Sequence, residues 1–295
     1  MKKLAVLVSE DLLPASVNRR SDAHLFELQM ALIATAARVR GMEVRPVWWR
    51  SADEAFAGVS AVLALCAWDY QDDQEAFLDR LARFEADGVR VFNPVSMLRW
   101  NIRKTYLRDL EQRGAPVAPA MFCDSPLASD AREAFEAFGC EALVIKRQVG
   151  AGARGQWVLT RTDPAPEGPL LDRPAIIQPF FGSIRTQGER SFIFIDGELS
   201  HAVLKLPAAD DYRIQPRYGG SSRLFRPDPE EERAARDVIR ALETTPLYAR
   251  VDMVRPDERG WALMELELIE PMLFPVGADR LGGLMAAALE RRLGG

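Results

Sequence analysis

The first hundred residues alternate between two hydrophobic periods, and that alternation narrows the fold more than any other feature of the chain. "LAVLV" near the N-terminus is a short apolar run of strand length, whereas "DAHLFELQMALIATAARVRG" repeats its apolar residues at helical spacing and stops at Gly41. "EVRPVWW" and "AVLALCAW" read as strands, "QEAFLDRLARFEADG" as a helix and "VRVFN" as a further strand. Strands alternating with helices imply a mostly parallel sheet with helices packed on it. At 295 residues the chain is expected to form two or three subdomains around a sizeable core.

Beyond this region the pattern changes. "IRKTYLRDLEQRG" predicts one helix from about 102 to 113, ended by Gly114, and the Pro-rich turn "APVAP" follows. A helix near 129–139 precedes a β-rich tract from 142 to about 206, punctuated by Pro-rich loops at 164–174 and 207–216. "EEERAARDVIRALE" predicts a helix, "YARVDMVRPDERGWALMELELI" two strands around a turn, and "DRLGGLMAAALERRL" a last helix.

Within the second of those strands lies "ALMELELIEP", residues 262–271. Side chains alternate between the faces of a strand, so Glu265 and Glu267 are expected on one face and Met264, Leu266 and Leu268 on the other. A sheet with one wet face explains this without any chemistry. Like charges on one face repel, however, and a divalent cation would reconcile them if the chain also supplies a site for a phosphate-bearing ligand.

Such a site is suggested by "ALVIKRQVGAGARGQWVLT". Gly150, Gly152 and Gly155 fit the dinucleotide spacing, but "QWVLT" reads as a strand where that motif needs a helix, and no Gly-Lys-Ser/Thr follows. What remains is either a plain hairpin turn or a glycine flap between two strands whose backbone N–H groups close over phosphates, with Lys146 as a point cation on the incoming strand. A protein kinase places its lysine after the flap and needs later motifs that this chain lacks.

The totals exclude other classes. A net charge of −5 argues against a nucleic-acid surface. Cys66, Cys123 and Cys140 are scattered, which reads as reduced thiols in a cytoplasmic protein. Two histidines, His24 and His201, cannot build a histidine-rich metal site. The apolar run at the N-terminus is cut by Ser9, Glu10 and Asp11, unlike a signal peptide, and no run of roughly 18 apolar residues spans a membrane.

From about residue 101 to 275, the order of these elements resembles the ATP-grasp superfamily of carboxylate–amine ligases, above all the stand-alone branch containing the D-cycloserine-forming ligase. The resemblance implies an N-terminal parallel-sheet domain (1–112), a central subdomain with the glycine flap (113–181) and a C-terminal subdomain with a metal site (182–295), the last two clasping ATP. "NIRKTYL" and "VIKRQVGAGARG" match the two nucleotide lysines, Lys104 and Lys146, and the flap glycines. "IIQPFF" resembles the adenine-contacting hinge, Gln178 to Phe181 (with Pro179 and Phe180), where the family often has Glu in place of Gln178. Glu189 in "GERSF" falls at the ribose position. By the same resemblance Lys205 neutralises phosphate, Arg213 faces the reacting carboxyl, Tyr218, Gly219 and Gly220 form a loop beside it, and Asp252, Glu265 and Glu267 hold Mg²⁺ or Mn²⁺. The last of these is commonly Asn in the family, so this site is more negative.

The implied activity is an ATP-dependent ligation in which a small-molecule carboxylate, activated as an acylphosphate, is attacked by an amine with release of ADP and phosphate. A small-molecule kinase and a non-catalytic ATP sensor share the nucleotide contacts and stay open, as does a homodimer. Substrate identity is expected to lie in loops after the first strands, "SED" at 9–11 and "WDY" at 68–70. Asp69 reads either as a substrate contact or as the cap of the helix beginning near 72. Arg185 reads as a carboxylate anchor or a surface arginine, and His201 as a core or strand-face residue ahead of a catalytic one.

Overall fold

The computed structural model describes residues 1–150, 152, 155–164, 168–209, 211–215, 218–256 and 260–294. Its N-terminal layer follows the expected alternation: β1 (Lys2–Val8), α1 (Ala23–Val39), β2 (Met42–Trp48), β3 (Val59–Cys66), α2 (Gln74–Ala86) and β4 (Arg90–Phe92). The four strands form a parallel sheet in the order β2-β1-β3-β4. Leu4 to Val8 are buried without a gap, as expected of a central strand covered on both faces.

The helix expected from about 102 to 113 is α4 (Tyr106–Gln112), which starts later than expected and is preceded by a separate helix, α3 (Val95–Asn101). The chain breaks between them because the Lys104 amide donates to the Gln148 carbonyl at 2.9 Å, outside any helical ladder. Lys104 is therefore delivered at a helix junction, not on a helix face.

A four-stranded antiparallel sheet, order β5-β8-β6-β7, comprises β5 (Met121–Cys123), β6 (Ala142–Arg147), β7 (Trp157–Thr160) and β8 (Ala175–Pro179), with α5 (Ala128–Phe138) packed against it. After the single turn α6 (Ser183–Thr186) comes a five-stranded antiparallel sheet, order β11-β10-β9-β12-β13. Its strands are β9 (Glu189–Ile195), β10 (Glu198–Leu206), β11 (Ser221–Phe225), β12 (Tyr248–Val254) and β13 (Ala262–Glu267), with α7 (Pro229–Arg240) between β11 and β12.

The terminal helix α8 (Leu281–Gly294) returns to the N-terminal layer and packs on α1. Gly282 permits that close crossing, since a Cβ there would stand 2.4 Å from the Leu32 carbonyl oxygen. Among the described residues no helix is long and apolar enough to cross a membrane.

Candidate active site

The carboxylates sit on the two adjacent strands β12 and β13, with Asp252 opposite Glu265 and Arg250 opposite Glu267. As an edge strand, β13 would leave backbone groups unpaired inside the molecule. Side chains from the α3–α4 region satisfy them. Asn101 donates to the Leu266 carbonyl and accepts from the Leu268 amide, and the Tyr106 hydroxyl accepts from the Leu266 amide, all at 2.9–3.0 Å. The strand that carries the glutamates is thus pinned along its free edge.

One sequence expectation fails here. Asp252 pairs with Glu265 but Met253 pairs with Leu263, so Met264 is the extra residue of a β-bulge. The bulge resets the alternation. Leu263, Leu266 and Leu268 enter the core, whereas Met264 lines the cavity beside Glu265 and Glu267 and not the apolar face.

Oxygens of Asp252, Glu265 and Glu267 lie within 4.8 Å of one another. Cations surround them. Arg250, with only 11% of its side chain exposed, is bidentate to Asp252 (2.8 and 3.1 Å) and also pairs with Glu267. Lys205 pairs with Glu189, its cross-strand neighbour, and stands 3.3 Å from Asp252. Lys104 pairs with Glu265 and donates to the Gly150 carbonyl at 3.0 Å. Ser191, opposite Asp252 in the sheet, donates to its carboxylate.

These contacts set the charge states. Burial disfavours the Asp252 carboxylate, but Arg250 and Lys205 outweigh it and hold the group down at about 2. Burial likewise opposes the Lys104 ammonium, and Glu265 more than compensates, so Lys104 is raised and Glu265 lowered. Glu267 and Glu189 go the other way, raised by burial in spite of Arg250 and Lys205 respectively. Burial also pulls Lys146 below the usual lysine range.

Lys146 donates to Gln178 Oε1 at 3.0 Å. Gln178 is fully buried, and its Nε2 has no hydrogen-bond partner among the described residues. Pro179, Phe180 and Phe181 form a wall of a cavity of about 650 Å³ that Gly150, Gly152 and Glu189 also line. Gly155 stands against Arg147, and Ala151, Ala153 and Arg154 of the flap lie outside the described residues. Ahead of β9, Gly188 has φ +72°, and a Cβ there would lie 2.2 Å from the Lys205 carbonyl oxygen, so only glycine lets β10 approach this closely.

Arg213 reaches the cavity from a loop, bidentate to Asp211 and stacked 3.6 Å from the Tyr218 ring centroid. Asp211 falls well below the usual carboxylate range because Arg213 hydrogen-bonds to it. Gly219 and Gly220 complete the loop, Gly220 lying against Ile214.

The remaining candidates separate. Asp69 lines the cavity and accepts from Trp49 Nε1 at 2.5 Å, but it does not cap α2; Asp73 does, accepting from the Ala76 amide at 3.2 Å. Asp73 is the residue immediately before the first helical turn, which is why it takes the capping role. Arg185 lies 5.2 Å from the Phe180 ring centroid. His201 is not among the cavity-lining residues; its Nε2 meets the Leu273 carbonyl at 2.9 Å, and burial lowers its pKa.

Comparison with known proteins bears on the fold that carries this arrangement. Residues 5–93 match the family model described as D-cycloserine synthetase DcsG, N-terminal domain. The chain is 26% identical over 287 residues to the cycloserine biosynthesis protein DcsG of Streptomyces lavendulae, covering 90% of this chain and 94% of that one. It is 31% identical over 221 residues to a probable alpha-L-glutamate ligase of Parasynechococcus marenigrum (strain WH8102), a match that takes in 72% of this chain and only 46% of the relative. The crystal structure of D-cycloserine synthetase DcsG superposes with a TM-score of 0.82 at 22% identity over 99% of both chains. The D-alanine–D-alanine ligase of Bacillus anthracis complexed with ATP superposes at 0.69 with 16% identity, over 99% of this chain and 98% of that one.

The chain belongs to the ATP-grasp ligases.

Arg250, Glu270 and Phe274 of this ATP-grasp ligase line the cavity without having been assigned a role from its sequence, whereas Trp68 opens the "WDY" stretch expected to bear on the substrate. Arg250 could have been found, since it precedes Asp252 by two in "YARVDMV" and must share its face. Phe274 carries no such signal. It adopts φ +46°, unusual for a side chain of its size, and its ring centroid lies 5.8 Å from Lys205 Nζ and 5.7 Å from the Arg250 guanidinium. Glu270 lies past the end of β13, where strand periodicity no longer applies, and burial with help from Glu265 pushes its carboxyl up to about 7.

Proposed function

We propose that this ligase transfers the γ-phosphoryl group of ATP to a small-molecule carboxylate and passes the acyl group to an amine, with release of ADP and phosphate. The reading is carried by one observation: Asp252, Glu265 and Glu267 converge within 4.8 Å in a cavity that Lys104, Lys146, Lys205 and Arg250 also line. The all-oxygen donor set suits a hard cation, and Mg²⁺ in particular prefers a few carboxylates plus substrate phosphates to an all-protein cage. Magnesium or manganese held there supplies neutralisation and alignment of the phosphate oxygens.

The nucleotide fits the opposite wall. Gln178 Nε2, unpaired among the described residues, and the apolar face of Pro179, Phe180 and Phe181 suit a flat base with acceptor nitrogens, and Glu189 suits ribose hydroxyls. Lys104, Lys146 and Lys205 neutralise phosphates, and Gly150 and Gly152 offer backbone N–H groups to them. A carboxylate oxygen of the substrate attacks the γ-phosphorus in line and ADP leaves. The amine then attacks the acylphosphate carbonyl, and phosphate leaves. Such chemistry depends on positioning and charge stabilisation more than on a protein nucleophile.

Two arginines are assigned to developing charge. Arg250 is fixed among the metal carboxylates, and Arg213 on its Tyr218 platform reaches the acyl-transfer side, where its planar fork suits bidentate contact. The division at 112 and 181 into an N-terminal substrate-side part and two clasping parts belongs to the same reading, as does residence in the cytoplasm, which the three unbridged cysteines favour.

The test is a product assay across a panel of carboxylates with ATP, Mg²⁺ and hydroxylamine as surrogate amine. The proposal expects a hydroxamate together with ADP and phosphate for the right carboxylate. A stable phosphorylated product without hydroxamate would make the protein a kinase, and no ADP with any carboxylate would make it a sensor.

A further inference from the structure

Leu273 is held by its backbone from two sides. Its amide donates to Gln29 Oε1 at 2.8 Å, and its carbonyl accepts from His201 Nε2 at 2.9 Å. A carbonyl can only accept, so that ring nitrogen carries the proton. Burial favours the neutral ring, and Nδ1 is left to accept from the Ser200 hydroxyl at 3.0 Å. Gln29 is fully buried on α1, and its Nε2 donates at 3.3 Å to the sulfur of Cys66, the last residue of β3. His201 lies on β10. Leu273 is thereby tied to the N-terminal layer and to the five-stranded sheet at once.

The next residue is Phe274. Its φ of +46° is a left-handed conformation that a phenylalanine keeps only where its surroundings impose it. The Leu273 carbonyl belongs to the peptide unit that precedes this torsion, so the His201 hydrogen bond fixes the direction in which Phe274 leaves the backbone. The ring centroid lies 5.8 Å from Lys205 Nζ on β10 and 5.7 Å from the Arg250 guanidinium on β12, within cation–π range of both. Since β9 runs between those strands, one ring bridges two cations across the sheet. Phe274 is half-buried and lines the cavity with Leu224 and Val276, apolar residues that are open to solvent. Gly277 packs onto Leu224, where a Cβ would lie 2.9 Å from Leu224 Cδ1.

Cations act more strongly on phosphate where water is kept out, and a closed site also protects a reactive intermediate from hydrolysis. An acylphosphate is such an intermediate. Water attacking its carbonyl breaks the same carbon–oxygen bond that the amine breaks, regenerates the carboxylate and releases phosphate. ATP is then consumed without product. An apolar ring laid against Lys205 and Arg250, next to an apolar rim, is placed to withhold water from that centre.

We propose that Phe274 shields the phosphoryl-transfer centre from water, held over Lys205 and Arg250 by the hydrogen bonds of His201 and Gln29 to Leu273. The inference rests on the ligase reading and adds what keeps ATP use coupled to product. Phe274 lies against the cations themselves. His201 and Gln29 act through the backbone and are positioning residues.

The experiment follows ADP and hydroxamate together, with ATP, Mg²⁺, hydroxylamine and the carboxylate that the product panel selects. The wild type is expected to form the two in equal amounts. Phe274→Ala should form ADP in several-fold excess over hydroxamate, because water takes the difference. Phe274→Tyr, which keeps the ring, should restore most of the equality. His201→Leu and Gln29→Leu should shift the ratio in the same direction by less, and the His201 variant carries the test if the buried Gln29 variant fails to fold. A merely structural role would lower both products in step. An unchanged ratio in Phe274→Ala therefore overturns the proposal, as does a large ADP excess in the wild type. A shifted ratio in Phe274→Ala with none in His201→Leu overturns the positioning role. A wild type that yields no hydroxamate with any carboxylate instead strikes the ligase reading and takes this inference with it.

Discussion

The two ends of the cavity are built on opposite principles. At the metal end, regular strands hold each carboxylate against a cation: Lys104 with Glu265, Lys205 with Glu189 and Asp252, Arg250 with Asp252 and Glu267. At the N-terminal end, loops after β1, β3 and β13 gather Asp11, Asp69, Asp72 and Glu270 near Arg20, which pairs with Asp22 and Asp11. The first end is balanced before any ligand arrives, so its residues serve fold and chemistry together. At the second end Glu270 has no ion-pair partner among the described residues, so its loss should cost the fold little.

The largest effects are expected at the balanced end. Arg250→Lys keeps a charge but loses the fork that spans two carboxylates, and turnover should fall about 10²-fold or more. Arg250→Leu leaves Asp252 and Glu267 without their shared partner, and a loss of about 3–5 kcal/mol is expected in denaturant unfolding. An Arg250→Lys enzyme of near-normal rate would break the contrast between the ends.

Next comes the strand spacing that sustains the balance. Gly188→Ala sets a Cβ 2.2 Å from the Lys205 carbonyl oxygen at a φ of +72°, and should destabilise by roughly 1–3 kcal/mol. Because the displaced strand carries Lys205, ATP affinity should weaken in the same variant. Unchanged ATP affinity, read by calorimetry, would separate Lys205 from the phosphates. Arg213→Lys should act more mildly than its Arg250 counterpart. Its guanidinium is about one-third exposed and sits on a loop, so a loss of about tenfold in rate is expected with ATP affinity kept.

The smallest effect, and the one that sharpens the contrast most, is the pH dependence of melting. Glu270 has its carboxyl raised from 4.5 to about 7, so the folded protein retains a proton that the unfolded chain releases. Its contribution to stability therefore falls as pH rises from about 4.5 through about 7. Glu270→Gln should raise the melting temperature of the ligand-free protein by a few degrees at about pH 8 and leave it unchanged at about pH 4. Asp252 is held down at about 2, so its contribution is present above its ordinary value of 3.8 and is lost as pH falls through about 2. Asp252→Asn should consequently lower the melting temperature at neutral pH. If both substitutions shifted melting in the same direction at about pH 8, the two ends would not differ in the way described.

Residues set by repeating patterns were legible in the sequence. Two strand patterns joined by a turn were enough to bring Asp252 beside Glu265 and Glu267, and period two placed both glutamates on one face. Alternating strands and helices gave the parallel sheet. Departures from periodicity were not legible. The bulge at Met264 moves one apolar residue into the cavity, and no local signal announces it, because a bulge depends on the partner strand. The strands β5 and β11 have no fully buried residues and so show no hydrophobic alternation to read. The break before Tyr106 arises from the distant Gln148 carbonyl. Glu270 and Phe274 owe their places to Trp68 and to a backbone turn, both tertiary features.

The central claim is that the substrate carboxylate itself takes the phosphoryl group from ATP. It is tested most directly by following an oxygen atom. A substrate labelled with heavy oxygen in its carboxylate is turned over with unlabelled ATP, Mg²⁺ and the amine, and the released phosphate is weighed by mass spectrometry. Attack of the carboxylate on the γ-phosphorus predicts one labelled oxygen in each phosphate released, with none in ADP. Phosphate that carries no label while the amide product forms would contradict an acylphosphate and with it the assignment of this cavity.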